Sequence, residues 1–338
     1  MAEDLNRKSP VFEALKLSLE KDLKISLDTN SLQKSSSRNK TLYHYTNLAG
    51  LKAIVENQCF FSSNSAYLND KKEYYYGIDL FKKCIEEKKD KTNNPDGLII
   101  INSIQKELDD KLISNHYVTC FSLDGDLLSQ WRAYADDGKG IAIGLDLKKL
   151  IETFQPKANG IYIEYSLEKQ KEIVERIINT CYDFYLSQLQ VLKTLNEPDL
   201  NKIIAQEINE IIDKFVGQFK HNSFSEEKEF RFDLSIDKDY NESEDIISYR
   251  TSKNNLLVPY LELKTNYKLE KEFREKNKIA LDDLEKNKKF KIKQLPITEI
   301  IIGPSLNFEL NKHSIKDFLK KNEYLDVKIS PSDVPYRI

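Results

Sequence analysis

Short runs of strand character recur along this chain at irregular intervals, with helical stretches between some of them and not others. "TLYHYT", "CFFSS", "YVTCFSL", "GIAIGLDL", "GIYIEYS", "KEFRFDL", "NLLVPYLELK", "ITEIIIGPS" and "LDVKISPS" all read as strands by alternation or by apolar runs. A regular strand–helix–strand repeat would argue for a doubly wound parallel sheet. The irregular order argues instead for an α+β fold, with a mixed or antiparallel sheet. "ITEIIIGPS" is expected to be a buried strand, and Pro259 marks "NLLVPYLELK" as an edge.

The helices follow a different period. "NLAGLKAIVENQ" places Leu48, Leu51, Ile54 and Val55 at helical spacing behind Asn47, a plausible N-cap. Residues 73–91 and 98–113 read as helices separated by the breaker "NNPDG". Between 167 and 220 apolar residues recur every three or four positions, broken at "NEPDL", where Pro198 can open a second helix. That pattern predicts a helical insertion at about 167–222. Residues 267–290 are so charged that they read as a solvated helix or loop, a second insertion. Residues 1–40, a loose helical pattern followed by "SLQKSSSRNK", read as an arm and linker to a domain over 41–338.

Composition removes several classes of function. In 338 residues, 40% hydrophobic and 32% charged residues with a net charge of −3 describe a folded domain without a global electrostatic pull toward nucleic acid or anionic lipid. No window approaches the ~18 apolar residues of a membrane span, and the first residues lack a signal-peptide core. Cys59, Cys84, Cys120 and Cys181 form no CxxC pair, and His116 and Cys120 lack a second pair to complete a metal site. A reduced, cytoplasmic protein is expected, with Cys59 and Cys120 inside strands. No GxGxxG, Walker loop, GxSxG or HExxH motif is present, so metal-dependent and common hydrolase chemistry have little support.

Four constellations could carry chemistry. In Tyr43-His44-Tyr45-Thr46, strand alternation puts His44 and Thr46 on one face, a ring and a hydroxyl suited to a ribose or an amide. A lone strand histidine is more often structural. "SSNSAYLNDKKE" gathers Tyr67, Asn69, Asp70 and Glu73 just after a strand, in a run that otherwise reads as surface loop. In "QWRAYADDGKG", Trp131 and Tyr134 stand three apart on a short helix, either a core contact or a stacking platform for a planar ring. In "SEEKEFRFDL", a strand would place Glu227, Glu229 and Arg231 on one face, and two nearby carboxylates can divide orienting and charge-stabilising roles.

Taken in order, "LYHYT", "LKAIVENQCFFSSNSAYLNDKKE", "CFS", "QWRAYADDGKGIAIGLD", "EKEFR" and "ITEIIIGPS" resemble the bacterial DUF2971 family, which carries no assigned activity. More distantly, a strand with His-x-Thr, a helix, and a strand beginning "CFFSS" is similar to the opening of the ADP-ribosyltransferase fold. That resemblance implies NAD as co-substrate, with no metal. His44 and Thr46 would hold the ribose and amide, and Tyr67 would stack on nicotinamide. Trp131, Tyr134 and Arg231 would line the cofactor site, and Glu229, with Glu227 second, would be the catalytic carboxylate. Asn69, Asp70 and Glu73 would shape the acceptor side or serve structure. The implied activity is mono-ADP-ribosyl transfer to a protein or nucleic acid, in a toxin or phage-defence effector restrained by a neutralising partner. Two other readings are a non-enzymatic nucleotide- or partner-binding module and an NAD glycohydrolase. No membrane partner is expected.

Overall fold

The computed structural model describes residues 14, 17–19, 21–22, 41–68, 73–109, 116–154, 158–194, 200–235, 246–252, 255–279 and 292–336. The elements run β1 (Thr41–Thr46), α1 (Leu48–Asn57), β2 (Cys59–Asn64), α2 (Glu73–Asp90), α3 (Pro95–Asp109), β3 (His116–Ser122) and α4 (Leu128–Tyr134). They continue as β4 (Ile141–Asp146), α5 (Leu147–Phe154), β5 (Asn159–Tyr162), α6 (Leu167–Thr194), α7 (Leu200–Val216), β6 (Glu229–Ser235) and β7 (Ser248–Thr251). The last are β8 (Leu257–Lys264), α8 (Asn266–Lys276), β9 (Ile297–Ile302), α9 (Phe308–Lys321) and β10 (Lys328–Pro331). The class is α+β.

The strands form one ten-stranded sheet in the order β10-β9-β4-β1-β3-β2-β8-β7, with β6 and β5 added at β3. Every pairing among these strands is antiparallel except β10 with β9. One face carries the main core. Leu42, Phe60, Phe121, Phe230, Phe232 and Ile300 point into it, and α1, α5 and α9 cover it with Leu51, Leu150 and Ile315. The other face has a smaller cluster of Tyr45, Trp131, Ala135, Ala142 and Ile301.

Local sequence explains the covering helix. Asn47 caps α1 as its spacing suggests, accepting the Gly50 N–H at 2.8 Å. Gly50 then lets the helix sit directly on the strand, because a Cβ there would lie 2.1 Å from Thr46 Oγ1. At the other end, Gln58 adopts a left-handed φ of 54° to stop the helix. Its Oε1 accepts from the Leu295 N–H at 2.7 Å and the Tyr324 hydroxyl at 3.1 Å, tying α1 to the segments around α9.

Helices α2, α3, α6 and α7 form a second compact unit, built from residues 70–113 and 163–223 with the described residues near the N-terminus. The helical pair of the insertion is therefore joined by two earlier helices. Gly77 of α2 faces the Val216 carbonyl of α7 so closely that a Cβ would sit 2.3 Å away. Gly97 of α3 makes similar room for the Tyr182 ring of α6. Gln170 anchors the unit's polar interior: its Oε1 accepts from Tyr76 and its Nε2 donates to the Glu164 and Lys220 carbonyls.

Some boundaries differ from the sequence reading. "GIYIEYS" pairs only through Tyr162, and Glu164 makes a single parallel bridge to Phe219. Strand β8 is not at the edge, because the short β7 pairs outside it and places Tyr249 opposite Pro259. Residues 266–276 of the charged segment are helix α8, and 280–290 lie outside the described residues, as does most of the arm at 1–40. Among the described residues no helix is long and apolar enough to cross a membrane.

Candidate functional site

Strand β3 organises the region where the sequence candidates fall. Along one edge it pairs with β6 over its whole length, His116–Ser122. A strand has only two edges, so β1 and β2 share the other. β2 bonds at the start of β3, through Ser63↔Val118 and Asn64↔Tyr117, and β1 bonds at its end, through Tyr43↔Ser122. Both run antiparallel to β3 and would compete for the positions between, so they part there. The result is a fork over residues 119–121.

His44 fills the fork. Its Nδ1 lies 3.1 Å from the Cys120 carbonyl, and its ring packs against Phe60 and Phe121 at centroid distances of 5.1 and 5.5 Å. A carbonyl oxygen only accepts, so Nδ1 carries the proton and Nε2 is the acceptor of the neutral ring. Burial pushes the His44 pKa below the ordinary histidine value, with the bond to Cys120 opposing part of that shift. Beside it Ser62 and Thr119, both buried, join hydroxyls at 2.6 Å across β2 and β3. Thr46, on the His44 face, lies under Gly50 of α1.

The carboxylates lie elsewhere. Residues directly opposite across paired strands share a face, so Tyr43, Ser122 and Glu229 stand on one face and His44, Phe121 and Phe230 on the other. Glu229 and Arg231 form a two-pronged pair, Nε to Oε1 at 2.6 Å and Nη2 to Oε2 at 2.8 Å. They are 6% and 1% exposed, so the pair is fully desolvated. Two residues further along that face, Asp233 lies 3.2 Å from His116 Nδ1 through each carboxylate oxygen, again buried. Buried charge at this density is costly to a sheet unless paired, and it is a common mark of a functional site.

Glu227 does not share the Glu229 face by alternation. It ends a 3₁₀ turn, Asn222–Glu227, and Lys228 follows with a left-handed φ of 46°, so the strand begins only at Glu229. The Glu227 carbonyl accepts from Ser122 Oγ at 2.8 Å, which fixes the turn at the end of β3. Its side chain is half-buried. Close by, Lys228 Nζ reaches Asp124 at 2.9 Å. Partial burial alone would raise the Asp124 pKa, but that bond and the Asp126 N–H hold it below the usual carboxylate range.

Trp131 and Tyr134 do not face the same way. The indole is wholly buried, edge-on to Tyr45 at 4.9 Å, whereas Tyr134 is 41% exposed. A ring stacking on Trp131 would have to displace its present neighbours. Tyr67 lies on the 3₁₀ turn Ser65–Tyr67 directly after β2 and is 45% exposed, which leaves its ring available. Asn69 and Asp70 lie outside the described residues, and Glu73 opens α2. None of the four cysteines is in a disulfide; Cys59 is buried and Cys120 partly so.

The structure thus places His44 at the fork, with Thr46 two residues along the same face of β1, and brings Glu229 and Arg231 together on the opposite face. Sequence reasoning missed His116, Asp233 and Asp126. Asp233 continues the alternation Glu229, Arg231 and was legible. His116 was not, because only the β3–β6 register brings it to Asp233.

Residues 130–232 match the family described as a protein of unknown function, DUF2971. That span opens within α4 and ends within β6, so it contains Trp131, Glu227, Glu229 and Arg231 but not the fork strand β1. No curated protein matches the chain, and no solved structure matches it.

Proposed function

We propose that the protein transfers ADP-ribose from NAD to a macromolecular acceptor, a protein or a nucleic acid, with the fork between β1 and β2 as the ribose site. The observation that carries this reading is the neutral His44, held through Nδ1 to the Cys120 carbonyl in the parting of two strands. That tautomer makes Nε2 a fixed acceptor, which suits a ribose hydroxyl. Tyr67, at the end of the second strand of the fork, supplies the ring for nicotinamide.

The reaction builds positive charge on the sugar, so a carboxylate held beside the sugar would stabilise the transition state. Glu229 is bound in a buried two-pronged pair with Arg231. In this reading the role passes to Glu227, on the turn beside Ser122, and Glu229 and Arg231 are structural. Chemistry of this kind belongs in a toxin or defence effector, with the arm at 1–40 or the helical insertion meeting a neutralising partner.

A second reading, a nucleotide- or partner-binding module without turnover, is favoured by the locked Glu229 and the buried Trp131. Incubation with NAD labelled in its adenylate half, with cell lysate as acceptor, separates them. Label on a protein or nucleic acid supports transfer. Free labelled ADP-ribose alone identifies a glycohydrolase. NAD bound but unconsumed identifies the binding module.

A further inference from the structure

The C-terminal end of the sheet carries an extended segment with alternating sides. Ser332, Val334 and Tyr336 are half-buried and turn inward, while Pro331, Asp333 and Pro335 are exposed. The Ser332 N–H continues the β9 ladder for one more bond, to the Ile302 carbonyl at 2.8 Å. Beyond it the segment leaves the sheet and crosses the smaller core, where Val334 packs against the cluster of Tyr45, Trp131, Ala135, Ala142 and Ile301.

Two aspartates on the neighbouring loops hold this segment. The Asp126 carboxylate accepts from Ser332 Oγ at 2.5 Å and from the Asp333 N–H at 2.7 Å. It also accepts from Trp131 Nε1 at 2.7 Å, so one carboxylate joins the segment to the indole. At the far end the Tyr336 hydroxyl donates to Asp137 Oδ1 at 2.8 Å. Asp137 sits in a run of three left-handed residues, Asp136, Asp137 and Gly138, with φ of 49°, 53° and 85°. The last of these brings the loop against the Tyr336 ring, since a Cβ there would lie 3.2 Å from it.

We propose that Ser332–Tyr336 is a releasable strap that closes the aromatic face formed by Tyr45 and Trp131. Its attachment is a few charge-assisted hydrogen bonds at the two ends and one apolar side chain in the middle. That attachment can open without disturbing the sheet, because past Ser332 the segment makes no ladder bonds. Elements held by few apolar contacts and exposed hydrogen bonds open locally at free energies well below global unfolding. Pro335 lacks an N–H group, so the released segment is poorly suited to pair as a strand elsewhere. With the segment in place Trp131 is wholly buried and offers no face to a planar ring. The strap is therefore a gate on the site that the stacking reading of Trp131 requires.

Trp131 is the only tryptophan in the chain, so its fluorescence reports on this one face of the sheet. In the full-length chain, Ser332→Ala with Tyr336→Phe removes one hydrogen bond at each end. The account expects red-shifted emission and an acrylamide quenching constant raised by about threefold or more, with an unchanged far-ultraviolet circular dichroism spectrum. Unchanged quenching in the folded variant would overturn it. Hydrogen exchange of the wild-type chain needs no variant. The amides of Asp333 and Val334 should exchange at least about 100-fold faster than those of β9, the mark of a segment that opens by itself. Exchange at the β9 rate would mean that the segment opens only with the sheet, and the strap would be refuted.

Discussion

Replacing Glu229 with leucine tests whether the carboxylate that sequence reasoning favoured is structural. The change leaves the Arg231 guanidinium, 1% exposed, without both of its bonds to Glu229. Removing one partner of a buried pair costs about 3–5 kcal/mol, because the other charge stays desolvated. With a urea slope of about 2–3 kcal/mol/M, a loss near 4 kcal/mol lowers the midpoint by about 1.3–2 M. Trp131 fluorescence follows the transition of the sheet unit, to which both residues belong. Arg231→Met should cost a similar amount. The double variant should recover most of the loss, since apolar side chains of similar size replace a buried pair at little cost. A Glu229→Leu midpoint within about 0.3 M of wild type, with m-values as above, would refute the reasoning. So would a double variant as unstable as the sum of the singles. The same result decides how activity data are read, because a Glu229 variant that loses activity has first lost stability.

Three further outcomes follow from the packing. Gly50→Ala places a Cβ 2.1 Å from Thr46 Oγ1, and overpacking of about 1–3 kcal/mol should exceed the ~0.5–1 kcal/mol that alanine returns in a helix; urea melts should show the loss, and adding Thr46→Ala should relieve it. Gly303→Ala sets a Cβ 2.4 Å from the Gly138 carbonyl and 2.7 Å from that of Gly140, backbone atoms that cannot rotate away, so a loss at the upper end of about 1–3 kcal/mol is expected in the same melts. The lowered pKa of His44 means that the folded state binds its proton less well than the unfolded one, so its contribution is fully present above the unfolded value of 6.5 and is lost as pH falls through the lower folded value. Wild type minus His44→Asn should therefore show a stability difference that shrinks on acidification below 6.5 and is flat above it; a flat difference throughout would refute the assignment.

Much of the architecture was legible because it is written in local periodicity. Asn47 capping α1, the helical pair split near Pro198, and the buried "ITEIII" strand all depend on neighbours in sequence. Alternation also told which residues share a face within one strand. It could not tell whether the His44 face of β1 is the Glu229 face of β6. That relation passes through β3, by Tyr43↔Ser122 and Ser122↔Glu229, and a one-residue slip in either register would reverse it. Glu227 escaped for a related reason: Lys228, a residue without a glycine's freedom, takes a left-handed φ and delays the strand by two residues. Trp131 was ambiguous because "QWRAY" fixes its helix but not the C-terminal segment that Asp126 joins to it, two hundred residues later. The missed β7 is four residues long and three of them are exposed, too short and too polar to stand out.

The most direct test of the proposed function is nicotinamide release from NAD, in the presence of lysate as acceptor, by wild type, by Glu227→Gln and by the Glu229→Leu/Arg231→Met pair. Release is expected from the wild type and the paired variant, and none from folded Glu227→Gln. No release by the folded wild type, or undiminished release by Glu227→Gln, would contradict it.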